Sequence, residues 1–588
     1  MRKIFISILL FLALPVGLAT LTDGSSLFAE TTKNLTSTGQ GERDVAGATT
    51  DVWVHNGYAY TGTSNNPCGG DSEAGVWIWD VHNKNKVNFA GIIQSPAGSR
   101  SNDVKVAAMT SGDILVHSNE SCAGGPGGYE IYNVDDPTAP VFLAHVQTDD
   151  VNAFLRDNFG FVDSGVHNLF LFTQGDNDYV GVVVGSEFGN FQIFDISDPT
   201  SPTLVGFWGA ESLLFPGVDF ATTTDFGGVI LPADAYLFSG FGASQNRFLH
   251  DITITADGTQ AYLANWDAGL VLLDISDPTS PSLVSVALDP TSEDGEVNSH
   301  AVWPNESGAI VIEGEEDFAP FEIQFSITSG PNVGDYPASE GAITVPITSL
   351  PGAEMSGPTV YVGLACNGDV IPAAAPGDMA LIQRGICSFS DKINNAEAAG
   401  YAGVVVFNDA ARGDALVTMG GLPTNLPGVF VGHSTGLAIA DVNTAGDLVI
   451  GAHGADVSAS TVANGWGGFR IWDYSNPANP VLAAIFNTVC SADPTDPSCD
   501  PAGTYTAQNV IVETTDKGRV KAYISWYSDG MLVLDITDPY NPFEVTRHTA
   551  SGEDYWGVYK VPGKPLIYGS DQNGGLRIFK ETGAGSGK

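Results

Sequence analysis

The chain has 588 residues, of which 68 are acidic and 23 are basic, so its formal net charge is −45. A surface of this sign repels nucleic acid and anionic lipid, which makes both of them poor partner candidates. The length exceeds what one hydrophobic core normally serves, and the 70 glycines and 33 prolines favour several domains built from short strands and turns.

The N-terminal segment 1–29 is typical of a secretory signal peptide. Two basic residues precede an apolar run from Ile4 to Ala19, and small residues follow it. Cleavage near Ala19 and cleavage near Ala29 both fit this pattern. No later stretch is long and apolar enough to cross a bilayer. We therefore expect a bacterial protein that is secreted or held at the cell surface, without a membrane span once the signal is removed.

A repeated pattern occupies most of the remaining chain. Its unit is an apolar strand, a glycine-containing turn, a strand that ends in Asp, an Asp-Pro-x-x-Pro turn and a further strand. The clearest copies begin at Gly189 (GNFQIFDISDPTSPTLVGF) and at Gly269 (GLVLLDISDPTSPSLVSV). β-branched and alternating apolar residues favour strands, and Asp-Pro pairs favour tight turns. One unit cannot bury its apolar face alone, so several must pack side by side.

The repeats predict a mainly β fold, a seven-bladed β-propeller in which each blade is a sheet of four strands, a to d. The units begin near residues 50, 102, 166, 249, 299, 508 and 555. The last unit stops after its third strand, at Lys580, whereas segment 34–39 (NLTSTG) has the pattern of a detached strand d. We expect this N-terminal strand to complete blade seven, because closure removes the exposed edges of the ring.

The DISDPTSP copies resemble the LVIVD-repeat propellers of secreted bacterial proteins. The resemblance implies an architecture and no particular activity, since that family has no single established function. It assigns residues 34–326 and 461–580 to the propeller. The last residues, 581–588, are expected to form a flexible tail.

Blade five is interrupted by residues 327–460, a segment whose sequence pattern differs from that of the repeats. Strand b of this blade ends near Glu313, and its strand c begins only at Phe469. The sequence ACNGDVIPAAAPGDMALIQRGICSFSDKINNAEAAGYAGVVVFND, from Ala365, resembles a protease-associated (PA) domain, which is an α/β module. The resemblance implies a helix over residues 391–399 and contact with peptides or protein partners, and it implies no catalytic residue.

The six cysteines fit an oxidising compartment and are expected to form three disulfides. The expected pairs are Cys68–Cys122, Cys366–Cys387 and Cys490–Cys499. The second pair is implied by the PA resemblance, because some PA domains carry such a bridge. The third closes a short loop before blade six. The first would join corresponding b–c loops of blades one and two, which are neighbours in the ring.

The residue that opens each innermost strand is expected beside the central channel. In chain order these residues are Thr50, Asn102, His167, His250, His300, Gln508 and Trp556. The three histidines are adjacent in the ring and have Gln508 beside them, so the four are a candidate site for Mn²⁺, Fe²⁺ or Cu²⁺ at the channel mouth. The alternative is structural: the resemblance implies that His-Asp-Ile is a recurrent strand start in this repeat family, and a His there can simply hydrogen-bond the adjoining blade.

An acidic run follows strand b of blade five, beside the insert. It consists of Glu313, Glu315, Glu316 and Asp317. Such a run is typical of a solvated turn. It is also a candidate cation site that braces the junction with the insert, since hard cations such as Ca²⁺ prefer oxygen ligands.

The function that these patterns favour is binding at one face of the propeller. The insert and the aromatic-rich d–a connection 211–247 are expected on the same face, and long loops are often functional. We therefore expect a non-catalytic binding protein whose upper face and PA domain contact an extracellular protein, peptide or glycan. The alternatives are a metal-dependent enzyme at the channel mouth and a structural component of the cell surface or matrix. A protease is not expected, because the chain has no His-Glu-x-x-His pair.

Overall fold

The fold is described from a computed structural model of the chain. The residues described are 35–43, 48–64, 73–121, 125–148, 165–184, 191–209, 249–289, 297–318, 321–463, 467–500 and 503–582. They form seven blade sheets and one larger, eight-stranded sheet. The predicted mainly β fold, a seven-bladed propeller with an inserted α/β domain, is confirmed.

The chain begins with β1 (Leu35–Gly41) and then builds blades one to four in order. Blade one contains β2 (Ala48–His55), β3 (Tyr58–Ser64), β4 (Gly75–Asp80) and β5 (Asn88–Gln94). Blade two contains β6 (Ser99–Arg100), β7 (Val104–Met109), β8 (Gly112–Ser121), β9 (Gly128–Asn133) and β10 (Val141–Val146). Blade three contains β11 (Leu169–Gln174), β12 (Asn177–Val183), β13 (Phe191–Asp195) and β14 (Thr203–Trp208). Blade four contains β15 (Asp251–Ile254), β16 (Gln260–Ala264), β17 (Leu270–Asp274) and β18 (Ser282–Ala287).

Blade five opens with β19 (Ser299–Pro304) and β20 (Ile310–Glu315), and the inserted domain follows. The insert contains β21 (Phe321–Ile327), β22 (Gly334–Tyr336), β23 (Ala338–Glu340), β24 (Glu354–Tyr361), β25 (Met379–Gln383), α1 (Phe389–Ala398), β26 (Gly403–Phe407), β27 (Gly428–Val431), α2 (His433–Ile439) and β28 (His453–Ala463). Single turns of 3-10 helix lie at Ile347–Ser349, Pro351–Ala353 and Ala445–Asp447.

The propeller resumes after the insert and completes blades five to seven. Blade five ends with β29 (Phe469–Asp473) and β30 (Val481–Phe486), and α3 (Val489–Ala492) follows. Blade six contains β31 (Val510–Thr514), β32 (Val520–Trp526), β33 (Gly530–Asp535) and β34 (Phe543–His548). Blade seven contains β35 (Tyr555–Lys560), β36 (Leu566–Asp571) and β37 (Gly575–Glu581).

The turns between strands c and d are built by the aspartates of the repeat. In blade four, Asp274 and Asp277 each accept a hydrogen bond from the amide two residues ahead, at 2.8 and 3.0 Å. Asp195 and Asp198 do the same in blade three. These carboxylates satisfy amide groups that the reversing backbone would otherwise leave unpaired, which is why the repeat carries Asp at these positions.

The N-terminal strand closes the ring, as the sequence predicts. β1 runs antiparallel to β37, from the Leu35–Glu581 pair to the Gly41–Leu576 pair. Its register shifts by one residue between Ser37 and Gly39, and every strand d of the other six blades carries a shift in its pairing with strand c. β1 is therefore the strand d of blade seven.

Seven blades complete a ring around a central channel. The first strands of neighbouring blades contact one another all the way round, including β35 of blade seven with β2 of blade one. Hydrophobic clusters fill the spaces between successive sheets. Between blades seven and one, Tyr568 and Ile578 pack in one cluster with Trp77 and Trp79. The core of the propeller therefore lies between the blades.

The insert occupies the b–c connection of blade five, because β20 pairs with β29 across it. Its sheet has the order β22-β21-β28-β24-β25-β26-β27-β23, with parallel pairing from β24 to β27. The inserted sheet runs from Phe321 to Ala463, whereas the sequence predicted 327–460. The difference arises because β21 and β28 pair along the whole length of β21 and lengthen the domain at both ends.

Two of the three predicted disulfides are present, Cys366–Cys387 and Cys490–Cys499. Cys68 and Cys122 lie outside the described residues, as do the segment 1–29, the connection 211–247 and residues 583–588 of the predicted tail 581–588. The predicted start of the tail is wrong, because Glu581 ends β37 and pairs with Leu35. In the described part of the chain, every helix falls short of the length and apolar character that a bilayer crossing requires.

Candidate functional site

Three histidines from consecutive blades meet at the mouth of the channel. His167 precedes β11, His250 precedes β15 and His300 lies in β19, so each marks the opening of an innermost strand. The rings of His167 and His250 have centroids 4.3 Å apart, and those of His250 and His300 are 3.9 Å apart. The structure thus brings together the three imidazoles that the repeat pattern predicted to be neighbours.

Further side chains of the site come from the ends of the b strands. In four blades this end forms an antiparallel bridge to a residue at or just before the start of strand a of the next blade, namely Thr63–Ser101, Glu120–Gly165, Trp266–Ser299 and Tyr527–Tyr555. In blade five the amide of Glu316 instead donates to the carbonyl of Asn298, before strand a of the same blade, at 3.0 Å, and its side chain reaches Gln508 and Tyr527 of blade six. This topology carries the side chains of Glu120, Trp266, Glu316 and Tyr527 to the opening of the neighbouring strands.

His167 is held through both ring nitrogens. Its Nδ1 bonds the Glu120 carboxylate, and Asn102 Nδ2 lies 3.3 Å from its Nε2. Because an amide nitrogen only donates, the contact with Asn102 requires Nε2 to accept. Burial raises the pKa of Glu120, but His167 and Arg100 outweigh it and hold that pKa below its ordinary value.

His250, His300 and Glu316 form the tightest group of metal-ligating side chains. One ligand atom from each lies within 4.8 Å of the others, and in the described residues no other group of three meets this spacing. His250 Nδ1 lies 3.2 Å from the His300 carbonyl oxygen. A carbonyl only accepts, so Nδ1 carries the proton and Nε2 of His250 carries the lone pair. His300 Nε2 lies 3.3 Å from Glu316 Oε2.

The second oxygen of Glu316 is fixed by two donors. The Tyr527 hydroxyl donates to Oε1 at 2.6 Å, and Gln508 Nε2 donates to the same oxygen at 3.3 Å. Gln508 Nε2 also lies 2.7 Å from the Tyr527 hydroxyl. Gln508, predicted as a metal ligand, therefore makes these contacts through its amide nitrogen, which cannot bind a metal ion.

The protonation states of this group follow from its burial. Burial, together with the neighbouring histidines, holds the pKa of His250 well below its ordinary value. Burial and the nearby His167 lower the pKa of His300 to about 3. Burial raises the pKa of Glu316 to about 7, against the hydrogen bond from Tyr527. Both imidazoles are thus neutral bases at neutral pH, and the group can accept a cation or a hydrogen-bond donor.

Aromatic side chains border the group. Trp266 lies 5.5 Å from the His250 ring and 6.2 Å from the His300 ring, measured between centroids. The ring centroid of Tyr527 lies 6.0 Å from that of Trp556 and 5.9 Å from that of Phe318. Thr50, the remaining predicted channel residue, donates to the Ser101 carbonyl at 3.0 Å.

The acidic run is buried, so its interpretation as a solvated turn is wrong. Glu313, Glu315, Glu316 and Asp317 are all less than 9% exposed. Glu315 pairs with Arg470 at 2.7 Å and Asp289 pairs with the same guanidinium at 2.8 Å, while Glu313 accepts from Trp472 Nε1 at 2.6 Å. In a solvated turn water would hydrate these carboxylates. Here the buried guanidinium of Arg470 provides the compensating positive charge. Of the four, Glu316 alone belongs to the histidine group, and a cation site made by the whole run stays a prediction.

The inserted domain has an exposed apolar surface around α1, the helix that was predicted over 391–399. Three loops surround this helix, and each presents one apolar side chain: Val370 (88% exposed), Ile386 (92%) and Leu422 (76%). We call these three residues the α1 rim. The loops are tied to the helix, since Asn367 Nδ2 donates to Asp391 at 3.1 Å and Ser390 Oγ donates to the Leu422 carbonyl at 2.8 Å.

Ile386 is also in a strained conformation. Its φ is +65°, in the left-handed region that β-branched residues rarely adopt. The next residue, Cys387, is held by the disulfide to Cys366. The strained backbone therefore holds the apolar side chain of Ile386 in solvent, where packing does not offset the strain.

Sequence reasoning missed Glu120, Trp266, Glu316 and Tyr527 as members of the channel site. The repeat signature lies in strands c and d and in the turn between them, so it gives no information on the end of strand b. The signal that identifies these residues is topological. Each follows or ends a strand b, as Glu316 follows β20, and an alignment of the blades on that strand would have placed them in one ring.

Family comparisons agree with the fold. A family model for the PA domain matches residues 355–439. The LVIVD repeat model matches residues 46–67, 178–208, 253–288 and 461–488. These matches fall in the insert and in blades one, three, four and five.

Curated relatives match only parts of the chain. An aminopeptidase of Pseudomonas aeruginosa is 35% identical over 123 residues, which are 20% of this chain and 21% of the relative. The E3 ubiquitin-protein ligase Godzilla of Drosophila melanogaster is 43% identical over 65 residues, 10% of this chain and 12% of the relative. This chain thus spans about a fifth or less of these relatives. Among solved structures, the β-propeller domain of Cps50 (Swd1) from Myceliophteria thermophila is matched over 93% of this chain and 100% of that chain, with 10% identity and a TM-score of 0.42.

The sheets, the ring contacts and the family matches define a β-propeller that carries an inserted protease-associated domain. More specifically, the ring has seven blades, its sequence contains LVIVD repeats, and the PA domain interrupts blade five between strands b and c.

Proposed function

We propose that this chain is a non-catalytic extracellular binding protein, in which the propeller is a platform and the PA domain contacts a protein or peptide partner. The observation that carries the proposal is the α1 rim. Three apolar side chains on three loops around one helix are exposed at the same time, although apolar groups gain free energy when they leave water. A partner that covers the rim would supply that gain.

The geometry of the rim supports a peptide or protein partner over a glycan. Val370, Ile386 and Leu422 are aliphatic, and a sugar ring is usually held by aromatic stacking and by polar groups. The positive φ of Ile386 adds to this argument. A non-glycine residue in such a conformation typically carries about 1–3 kcal/mol of strain, and strained residues concentrate at functional sites.

The location and the charge agree with this role. The two disulfides Cys366–Cys387 and Cys490–Cys499 fit an oxidising environment outside the cytoplasm. The net charge of −45 repels acidic partners, so a neutral or cationic partner is favoured.

A library of displayed peptides, selected against the full chain, tests the proposal. We expect the selected peptides to bind the chain and to bind the double variant Ile386→Asp/Leu422→Asp at least about tenfold more weakly, a change of about 1.4 kcal/mol. The matched control is Val141→Asp/Leu283→Asp, which changes two exposed apolar residues on outer strands of the propeller. Its affinity should stay within about twofold.

Two results would overturn the proposal. Peptides that bind the rim variant as tightly as the unaltered chain would remove the rim from the binding surface. Glycan binding in an array, unaffected by the rim variant and without any selected peptide, would replace the protein partner by a carbohydrate.

A metal-dependent enzyme is the second candidate, and the group His250, His300 and Glu316 favours it. Two imidazoles and one carboxylate are a common ligand set of catalytic metal ions. The group would place chemistry at the channel mouth, whereas binding through the rim would place the function on the insert. The rim variant Ile386→Asp/Leu422→Asp does not change the group His250, His300 and Glu316. Loss of function in the rim variant therefore favours the binding protein, whereas loss of function in a variant of the group favours the enzyme.

A further inference from the structure

We propose that His250, His300 and Glu316 form a binding site for one divalent transition-metal ion of the first row, such as Zn²⁺, Mn²⁺ or Fe²⁺. This site is additional to the proposed binding role of the PA domain. It also differs in membership from the set of His167, His250, His300 and Gln508 that the sequence suggested, because a carboxylate takes the place of one imidazole and of the amide.

The spacing of the three groups fits a shared ion. Ligand atoms at about 2.0–2.2 Å from one ion, at angles of about 90–110°, lie about 2.8–3.6 Å from one another. The distance between His300 Nε2 and Glu316 Oε2 is 3.3 Å. One atom of each of the three side chains lies within 4.8 Å of the others. The full set therefore needs to contract by no more than about 2 Å around an ion, which small side-chain rotations supply.

Groups outside the ligand set already hold the ligands in position. A metal-binding histidine usually donates its other ring N–H to a carbonyl or a carboxylate, and a metal-binding carboxylate is itself hydrogen-bonded. His250 meets the first condition, because its Nδ1 donates to the His300 carbonyl at 3.2 Å. Glu316 meets the second, because Tyr527 and Gln508 donate to its Oε1. These contacts are an observation independent of the ligand spacing: the first places the lone pair of neutral His250 on Nε2, and the second engages Oε1 of Glu316.

The ligand types select the class of ion. Two imidazoles and a carboxylate suit first-row transition ions, whereas Ca²⁺ and Mg²⁺ prefer sites made of oxygen atoms. Three protein ligands leave further coordination positions open. The surroundings supply two walls, since Trp266 borders His250 and His300 and Tyr527 borders Glu316.

His167 lies beside the site and is assigned a positioning role. Its ring centroid is 4.3 Å from that of His250, but its two nitrogens are engaged by Glu120 and Asn102. Binding an ion through His167 would break the contact with Asn102. We therefore place His167 next to the ion and not on it.

Metal titration of the full chain tests the site. After removal of metals with a chelator, Zn²⁺ is titrated by calorimetry and Co²⁺ is followed by its visible absorption, which reports the ligand set directly. We expect one ion per chain and a raised melting temperature with either metal, because an ion that binds only the folded state stabilises it. The variants His250→Ala and Glu316→Gln should bind at least about 100-fold more weakly.

Two controls separate this site from the alternatives. His167→Asn should keep its affinity within about tenfold, because it changes a neighbour of the site. His453→Ala removes an exposed histidine of the inserted domain and should bind like the unaltered chain. Circular dichroism without metal confirms that each variant is folded.

Three results of these titrations would contradict the proposed site. Absence of stoichiometric binding of both ions by the unaltered chain overturns the site. Equal binding by Glu316→Gln overturns the role of the carboxylate and with it the proposed ligand set. If His167→Asn lost binding as completely as His250→Ala, His167 would have to be a ligand and the proposed ligand set would be wrong. None of these results depends on whether the α1 rim binds peptides.

Discussion

Arg470 shows how single residues stabilise blade five. The side chain is buried, and its guanidinium pairs with Asp289 at 2.8 Å and with Glu315 at 2.7 Å. Removing one partner of a buried ion pair typically costs about 3–5 kcal/mol, because the remaining charges stay buried without compensation. We predict that Arg470→Met lowers the free energy of unfolding by this amount in urea denaturation.

The matched control for that variant is Arg412→Met. Arg412 is also paired with a carboxylate, Asp409, but it lies at the surface, where such pairs contribute about 0–1 kcal/mol. A loss in Arg470→Met no larger than the loss in Arg412→Met would contradict the account of the buried network.

Glu313 should make stability depend on pH. Burial raises its pKa to about 7, against hydrogen bonds from Ser299 and Trp472 and the charge of Arg470. The folded state therefore keeps a proton that the unfolded state releases above its ordinary pKa of 4.5, so this group destabilises the fold as pH rises from about 4.5 to 7. Glu313→Gln removes the effect.

We therefore predict that Glu313→Gln gains stability relative to the unaltered chain between pH 5 and pH 8, by roughly 2–3 kcal/mol. Urea denaturation at each pH measures the difference. The control is Asp277→Asn, because hydrogen bonds from Thr279 lower the pKa of Asp277 and its titration falls below this range. A difference for Glu313→Gln that does not change with pH would refute the prediction.

At this scale the sequence located half of the channel site. His167, His250 and His300 were identified because each opens a strand whose position the repeat defines. Glu316 was instead grouped with the acidic run, as a solvated turn or as a cation site at the junction with the insert, since four acidic residues in five positions usually meet water. The partners that hold them in the interior lie far along the chain. Glu315 pairs with Arg470. Glu316 accepts from Gln508 and Tyr527, which are 192 and 211 residues farther along, so no local pattern connects them.

The strand β1 carries a prediction at the scale of elements. Leu35 is 1% exposed and packs with Tyr523 and Val533 of blade six. Leu-to-Ala substitutions at such positions typically cost about 2–5 kcal/mol. We predict a loss of this size for Leu35→Ala in urea denaturation. Leu283→Ala, on an outer strand where the side chain is 44% exposed, should cost less than about 1 kcal/mol, and equal losses would contradict the docking of β1.

The glycine before strand c is a second element-scale feature. Gly530 has a φ of +92°, and a Cβ there would lie 2.0 Å from the His548 carbonyl oxygen of strand d. Gly128 and Gly269 make the same approach to their own strands d. The repeat therefore needs glycine both for the backbone conformation and for space.

Comparing two substitutions separates these two requirements. Gly518 has a φ of +73°, but a Cβ added there would meet no other atom within 4 Å, so Gly518→Ala should cost only the conformational strain, about 1 kcal/mol. Gly530→Ala adds the clash, and we predict a loss of roughly 3 kcal/mol or more in thermal and urea denaturation. Similar losses for both variants would show that the contact with strand d is unimportant.

The elements were largely predictable because their signals are local. Strand c, the Asp-Pro turn and strand d follow one another within about twenty residues, and the PA sequence carries its own pattern from Ala365 onward. The ends of the insert were less predictable. β21 and β28 pair through residues from opposite ends of the domain, Phe321 with Ala463, so the pairing that sets the domain's ends joins segments far apart in the sequence.

The charge of the whole molecule leads to a further prediction. With a net charge of −45, repulsion among surface carboxylates opposes the compact state. Salt screens this repulsion, because the Debye length falls from about 30 Å at 0.01 M to about 3 Å at 1 M. We predict that the melting temperature rises by roughly 3–6 °C between about 10 mM and 500 mM NaCl.

Calorimetry measures this shift, and a variant series gives its control. Replacing several exposed aspartates of the c–d turns by asparagine, such as Asp136, Asp198 and Asp277, should reduce the dependence on salt. A melting temperature that is constant or falls with added salt would show that repulsion does not limit the stability of the ring.

Pairing of β1 with β37 determines when the molecule can finish folding. The two strands are separated by almost the entire chain, so β1 has no strand to pair with until β37 has been synthesised. Contacts between such distant segments form slowly, since the intervening loop must close first. Until biosynthesis reaches residue 581, blade seven lacks its outer strand and both ends of the unfinished ring expose unpaired backbone groups. A nearly complete propeller is therefore prone to aggregate through its strand edges until these two strands pair.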